Sequence, residues 1–508
     1  MSVFLRRTSG AVIAFAIASQ SAWADLSADQ VWADWKTYLG GMGYEVSGTE
    51  SRSGNTLTIS GMSMNMQIPD AEGALSVTLP EMSLTDQGDG TVRIVLPEEF
   101  PINFVVTPEG EEQVKGTVNY LNRNMSMVVS GAPEDMTYTY SADQVTVSLA
   151  GLEADGEAMP EGAIAASMDM TGVAGTSQMK IGAMRDMVQS FTADGLSYAL
   201  SFNDPESDDA GTFNGAMSGI TYAGTGTIPT DFDAADFSNM LKSGFAFDGT
   251  LSYSAGNGTM NGTGDGETFA FSSKSQGGDF RIAMDSSHVV YDLTGNGAEI
   301  SVTTQELPFP VDLAMAKSGF KLDIPVQASD APQPFGLGMN LTDFTMSDMI
   351  WGMFDPAGAL PRDPATIAID LTGTAKVLVD FLDPAVAETL EATGAAPGEL
   401  NTLKINQLLV SMVGAKLTGT GDFEFDNSDL ESFDGMPAPS GVANLTLVGA
   451  NALIDKLVAM GFVADQDAMG ARMMMGMLAV PGDAPDTLNS TIEINKQGHI
   501  LANGQRIK

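Results

Sequence analysis

In residues 366–381, TIAIDLTGTAKVLVDF, the side chains Ile367, Ile369, Leu371, Ala375, Val377, Val379 and Phe381 share one parity, while Thr366, Asp370, Thr372, Thr374, Lys376 and Asp380 hold the other. Alternation with period two over this length is the pattern of a half-buried strand, apolar on one side and wetted on the other. At ~3.3 Å per residue the run would reach roughly 50 Å, beyond an ordinary strand, so it calls for a large sheet with one face in water. A short helix signal, SDMIWGMF (347–354), precedes it and stops at Asp355 and Pro356.

The rest of the chain repeats the theme in shorter runs. Leu57 and Ile59 keep one parity and Met62, Met64 and Met66 the other, with Gly61 at the slip, where a bulge belongs. Similar runs surround Val77, Ile94, Met127 and Val147, separated by turn signals such as DQGDG (86–90). With no helices between them, these strands read as antiparallel hairpins. A triplet of apolar residue, Ser/Thr and Gly ends at Gly61, Gly131, Gly172, Gly219, Gly295, Gly373 and Gly419. Its spacing is too uneven for a solenoid, and it reads as a recurring bend in a curved sheet. Leu403, Ile405, Leu409, Val413, Leu417, Phe423 and Phe425 keep one parity around a turn expected near Gly414.

Helices are few. Ser27 and Gln30 have capping-box spacing ahead of Val31, Trp35, Tyr38 and Leu39, and Gly40 and Gly41 stop the run. A short helix is expected over Asp233–Lys242 inside the stretch 211–278, which is rich in Gly, Ser, Thr and Asn. Near the end, Leu453, Ile454, Leu457 and Val458 mark one helix closed by Gly461, and Met469, Met473, Met477 and Val480 mark another, with Asp465 as its cap and Pro481 at its end. A final hairpin pairs Ile492 and Ile494 with HILANG. The expected fold is mainly β: large curved antiparallel sheets, as a sandwich or half-barrel, with a few docked amphipathic helices. A boundary near Glu306–Pro310 divides it into an N-terminal β-rich region, 25–305, and a C-terminal β-rich region, 306–508, with the helical section at 451–480.

Compartment follows from the first 24 residues: Arg6 and Arg7, an apolar core from Ala11 to Ala18, and a small-x-small site at Ala22–Ala24 make a signal peptide, Met1 to Ala24, so the product is expected to be periplasmic and to begin at Asp25. No later run is long enough to span a membrane. The formal charge of −42 repels phosphate backbones, which excludes nucleic acid as a partner, and suits a solvated surface. The chain has no cysteine, hence no disulfide and no thiolate chemistry.

Chemistry-bearing constellations are sparse. With only His288 and His499, a zinc or other transition-metal site would have to rest on carboxylates, and no metal or cofactor is expected. No serine sits in a nucleophile-elbow motif, and no catalytic residue emerges from the 65 acids. GTGDGE (262–267) and DNSDLE (426–431) lack calcium-loop spacing and read as turns. Met62, Met64 and Met66 read as core rather than a Cu(I) site. Arg362, fixed between Pro361 and Asp363, reads as an anchor paired with an acid such as Asp355. The competing reading makes it a ligand-binding clamp for a carboxylate or phosphate.

The blocks PQPFG (332–336), IWGMFDPAGALPRDPAT (350–366), LIDKLVAMG (453–461), MGARMMMGMLAVPG (469–482) and GHILANGQRIK (498–508) resemble an alphaproteobacterial exported family catalogued as domain of unknown function 2125. The resemblance implies no activity and no site residues. In style, not in motif, the chain is also similar to AsmA-type envelope proteins with lipid-cradling sheets. The expectation is a non-enzymatic binding or scaffold protein of the cell envelope, with a lipophilic ligand or an envelope protein as partner. The alternative is a carboxylate-dependent envelope hydrolase. Because the predicted helices are too short to cover a large apolar face, a closed two-sheet core is placed ahead of a lined cavity.

Overall fold

The computed structural model describes residues 26–508 apart from 69–72, 108–112, 155, 161, 231–236, 384 and 395. The Met1–Ala24 segment and the start of the helix expected at Asp233 lie outside the described residues. The helices are α1 (Ala28–Gly41), α2 (Phe237–Lys242), α3 (Asp348–Phe354), α4 (Ala385–Thr393), α5 (Ala450–Ala459) and α6 (Asp465–Leu478). All strands join one antiparallel sheet.

That sheet is a meander in which each ladder position follows its neighbour in sequence. Glu45–Ser53 pairs with Thr56–Ile68, then Gly73–Asp86. Two short hairpin-like pairs then lie end to end and rejoin at Asp135–Ala154. Ile164–Ile181, Met184–Asn203 and Ala210–Pro229 follow in register. A second end-to-end pair, Ala246–Tyr253 with Gly278–Met284 beside Ala255–Gly264 with Glu267–Ser275, rejoins at His288–Thr304. The ladder continues without a break through the turn at 305–310 to Val311–Pro325, and on through 333–346, 365–377, 398–412, 415–426, 438–448 and 487–494.

The alternating strand that dominates the sequence is shorter than its pattern. It spans Ala365–Val377, and the exposed Leu378 and Phe381 lie past its end. The longest strands, Asp135–Ala154, Met184–Asn203 and Ala210–Pro229, have 20 residues each. The length of Ala210–Pro229, and of Ile164–Ile181, is hidden in the sequence by a crease. Gly172 and Gly219 have φ of 60° and 59° within strands, and Gly297 and Asp343 have 56° and 53°. The pairing continues across them, Thr171 with Gly195 and Ala174 with Thr192. A left-handed residue rotates the chain, so Met170 before Gly172 and Val173 after it pack in the same cluster despite opposite parity. Gly61 and Gly131 share the positive φ, as the triplet predicts. Gly373 and Gly419 do not: they are small to make room, since a Cβ at Gly373 would sit 2.7 Å from the Phe335 ring and one at Gly419 2.6 Å from Leu445.

Core packing is concentrated at the N-terminal end. The capping box of α1 forms between Ser27 and Gln30, and Ala28, Val31 and Trp32 are buried with Leu57, Ile59, Leu84 and Val129. Burying side chains of this size contributes ~1.5–3 kcal/mol each. Polar tips are matched: Trp32 Nε1 donates to Glu50 Oε1 at 2.7 Å, and Trp35 Nε1 to the Tyr138 hydroxyl at 3.0 Å. Burial pushes the Tyr138 phenol up to about 12. Arg185, from the far strand, donates to Asp34 of α1 at 3.1 Å and stacks 4.8 Å over Tyr38.

Beyond this end the two-sheet core is not what forms. All the described strands belong to one sheet, so there is no second sheet to pack on it. The accessible surface of 29104 Å² greatly exceeds the ~18,000 Å² expected for a compact monomer of this mass.

Candidate functional site: an uncovered apolar face

Cross-strand partners share a face, so the register reveals what each face carries. One row runs Leu57, Leu84, Ile94, Met127, Tyr140, Gly175, Phe191, Tyr222 and Leu251. It continues through Phe280, Leu293, Phe320, Met339, Ile369, Leu408, Gly419 and Leu445. Every member is apolar, aromatic or glycine. The next row over, on the opposite face, reads Thr250, Arg281, Asp292, Lys321, Gly338, Asp370 and Gln407. One face is therefore apolar across the sheet and the other polar.

The first end of the apolar row and its middle differ in cover. Leu57 and Leu84 are buried beneath α1, whereas Phe280, Phe320 and Met339 are 39%, 42% and 47% exposed. Ile282, Ile324 and Leu337 beside them are exposed as well. A contiguous apolar surface of this extent is unusual on a monomer and marks a binding surface.

Two hollows lie on this face. One, of about 620 Å³, is walled by Tyr198, Phe213, Tyr253, Phe271, Phe280 and Phe320 over a floor that includes Gly256, Gly258 and Gly295. Tyr253 stacks on Phe280 with centroids 5.9 Å apart, and its hydroxyl meets Ser275 Oγ at 2.9 Å, so its polar atom is satisfied. The other, of about 680 Å³, lies toward the strand ends around Phe202 and Phe269. Here the rings lie flat over cross-strand glycines: a Cβ at Gly211 would fall 2.2 Å from the Phe202 ring, and one at Gly262 2.3 Å from Phe269. Pairing an aromatic with glycine keeps the floor apolar and smooth. Among the described residues no acid lines either hollow.

Carboxylates gather in other clefts: Asp248 and Asp285 beside His288 around about 260 Å³, where Asp248 pairs with Arg281 and Asp285 accepts from the Ser287 and His288 amides of its own turn, and Glu424, Asp426 and Asp429 around about 450 Å³. Asp426 accepts from the Ser428 hydroxyl and amide at 2.6 and 2.9 Å, and Asp429 from the Ser432 hydroxyl and amide at 2.7 and 3.0 Å. These bonds, the serine hydroxyls first, hold both carboxyls below the usual range. A hydrolytic pair needs one acid raised so that it can donate a proton, and these two are tied into turns instead.

Arg362 lines neither hollow. Its partner is not Asp355 but the exposed Asp348, and its guanidinium lies 5.7 Å from the Trp351 ring. An exposed pair of this kind contributes little, so Arg362→Ala should change stability by no more than about 1 kcal/mol in urea unfolding. A larger loss would show that the pair anchors the loop. Asp355 is fully buried and does the anchoring, accepting from the amides of Ala359 at 2.8 Å and Leu360 at 2.9 Å. The Leu360 hydrogen bond, more than any other influence, holds its carboxyl below the usual range. A depressed folded value means that its stabilisation is complete above the ordinary carboxylate range and is lost as pH falls through the depressed value. Asp355→Asn should therefore weaken the fold at neutral pH, with the gap to wild type closing in acid. Unfolding midpoints followed down the carboxylate range test this, and a constant gap would contradict it.

The remaining sequence candidates are structural. His288 opens its strand with Nε2 3.2 Å from the Pro334 carbonyl, and His499 lies in the final hairpin beside Asn495. Asp265 and Gly266 of GTGDGE form a left-handed hairpin turn. Met62 is buried, and Met64 packs on the same core. Among the described residues no group of three or more His, Cys, Asp or Glu could hold a metal ion, and no helix is long and apolar enough to cross a membrane. The apolar row itself was not seen in the sequence. Its signal was the co-occurrence of aromatics and glycines in 198–280, which registers only once strands are paired.

No curated protein matches the chain. Residues 250–501, which hold four of the five blocks quoted above in full, match the family described as "Uncharacterized protein conserved in bacteria (DUF2125)", and through this half the chain belongs to that family.

Proposed function

We propose that the uncovered apolar face holds a lipophilic ligand, the acyl chain of a lipid, and that the protein is an exported, non-enzymatic binding component of the cell envelope. The observation that carries the reading is the part of the apolar row from Phe280 to Leu408, in which Phe280, Phe320 and Met339 are exposed and Leu293, Ile369 and Leu408 half-buried, and over which no helix or second sheet lies among the described residues. It crosses six strands, or about 24 Å at the ~4.8 Å strand spacing, the length of an extended chain of about 18 carbons. Shallow apolar hollows walled by aromatic rings suit such a chain.

Delipidated protein titrated with a fluorescent fatty acid tests it, with saturable binding near one equivalent expected. No saturation for any chain length would remove the proposal. Export rests on the sequence of residues 1–24, and the intact mass of protein from the periplasmic fraction should place the N-terminus at Asp25. A retained Met1 would exclude that part of the reading.

A further inference from the structure

The second late helix was expected to dock through Met469, Met473 and Met477, and α6 places those side chains in solvent instead. Met469, Met473, Met474 and Met477 are 69%, 65%, 60% and 61% exposed, and Ala468 is the helix's buried residue. Nothing lies within 4 Å of a Cβ built at Gly470 or Gly476, so the surface between them is open. Arg472 is turned away to Asp455 of α5 at 2.5 Å.

We propose that Met473, Met474 and Met477 form a thioether site for one soft monovalent cation, Cu(I), on this face. Residues three and four apart on a helix bring their Cβ atoms to about 5–6 Å, so Met477, three residues from Met474 and four from Met473, neighbours both on one side of α6. Three rotatable bonds in each methionine let the sulfurs converge on one ion. Thioethers are soft donors that select Cu(I) over the hard divalent cations. In a chain without cysteine they are the only soft sulfur donors, and the charge of −42 concentrates cations around the protein. An apolar docking surface would be served as well by leucine, whereas a metal site is not, and that difference makes the test.

The full chain is titrated calorimetrically with Ag(I), the redox-inert stand-in, and with Cu(I) in competition with a chromophoric chelator. One equivalent is expected to bind, and the Met473→Leu/Met474→Leu/Met477→Leu variant should bind at least tenfold more weakly at unchanged helicity. Met349→Leu/Met353→Leu, which removes the exposed pair on α3, should leave that equivalent in place. Equal binding by the α6 variant, loss through the α3 pair, or no stoichiometric binding by the wild type would each overturn the site.

Discussion

Arg185→Ala is expected to lower the unfolding free energy by about 3–5 kcal/mol. The guanidinium and the Asp34 carboxylate are 5% and 12% exposed, so removing the arginine strands a buried negative charge between α1 and the sheet. The pair ties residues 151 apart in sequence, and Arg185 also covers Tyr38. Replacing both partners together, Asp34→Leu with Arg185→Met, should recover much of the loss, because no charge is then left unpaired. Urea unfolding of the single and double variants measures it. A loss below about 1 kcal/mol for Arg185→Ala would mean that water reaches the pair and that α1 is held by its apolar face alone.

Phe320→Asp is expected to weaken fatty-acid binding by about 10–100-fold, since it puts a carboxylate where the proposed chain must desolvate it. The stability loss should be smaller than for a fully buried phenylalanine, because Phe320 is already 42% exposed, and unfolding of the variant shows that the protein tested for binding is folded. Lys321, the next residue, lies on the polar face between its partners Asp292 and Gly338. Lys321→Ser is therefore the matched control and should bind as the wild type does. If both substitutions weaken binding equally, the ligand does not lie on the apolar face. If neither does, the exposed row is not the site.

The local chemistry of this chain is legible in its sequence because it depends on neighbours a few residues apart. The Ser27–Gln30 capping box, the two helices near the end, the hairpin turn at Val413–Gly414 and the final hairpin all appear where spacing and turn residues place them, although Asp465 is the first residue of α6 rather than its cap and Val480 lies in a strand past its end. So does the class, since period-two alternation leaves few alternatives to antiparallel sheet. Strand length and parity are less visible. A left-handed glycine in mid-strand shifts the parity, so the 20-residue strand Ala210–Pro229 looks like two short ones. The irregular pairing between Ile405 and Leu408 likewise turns Leu408, rather than Leu409, to the apolar row.

What only the tertiary structure decided is which apolar residues are covered. Phe280 and Leu84 look alike in sequence, each an apolar residue in an alternating strand, yet one is 39% exposed and the other fully buried. The difference is that α1 and its ion pair close one end of the sheet, while among the described residues no helix covers the middle. Arg362 makes the same point at shorter range: both Asp348 and Asp355 stand close by in sequence, and the loop amides of Ala359 and Leu360 had already taken Asp355. A sequence states which side chains are apolar or charged. Contact and solvent access belong to the paired and creased sheet, because they depend on residues that pairing brings together from far along the chain.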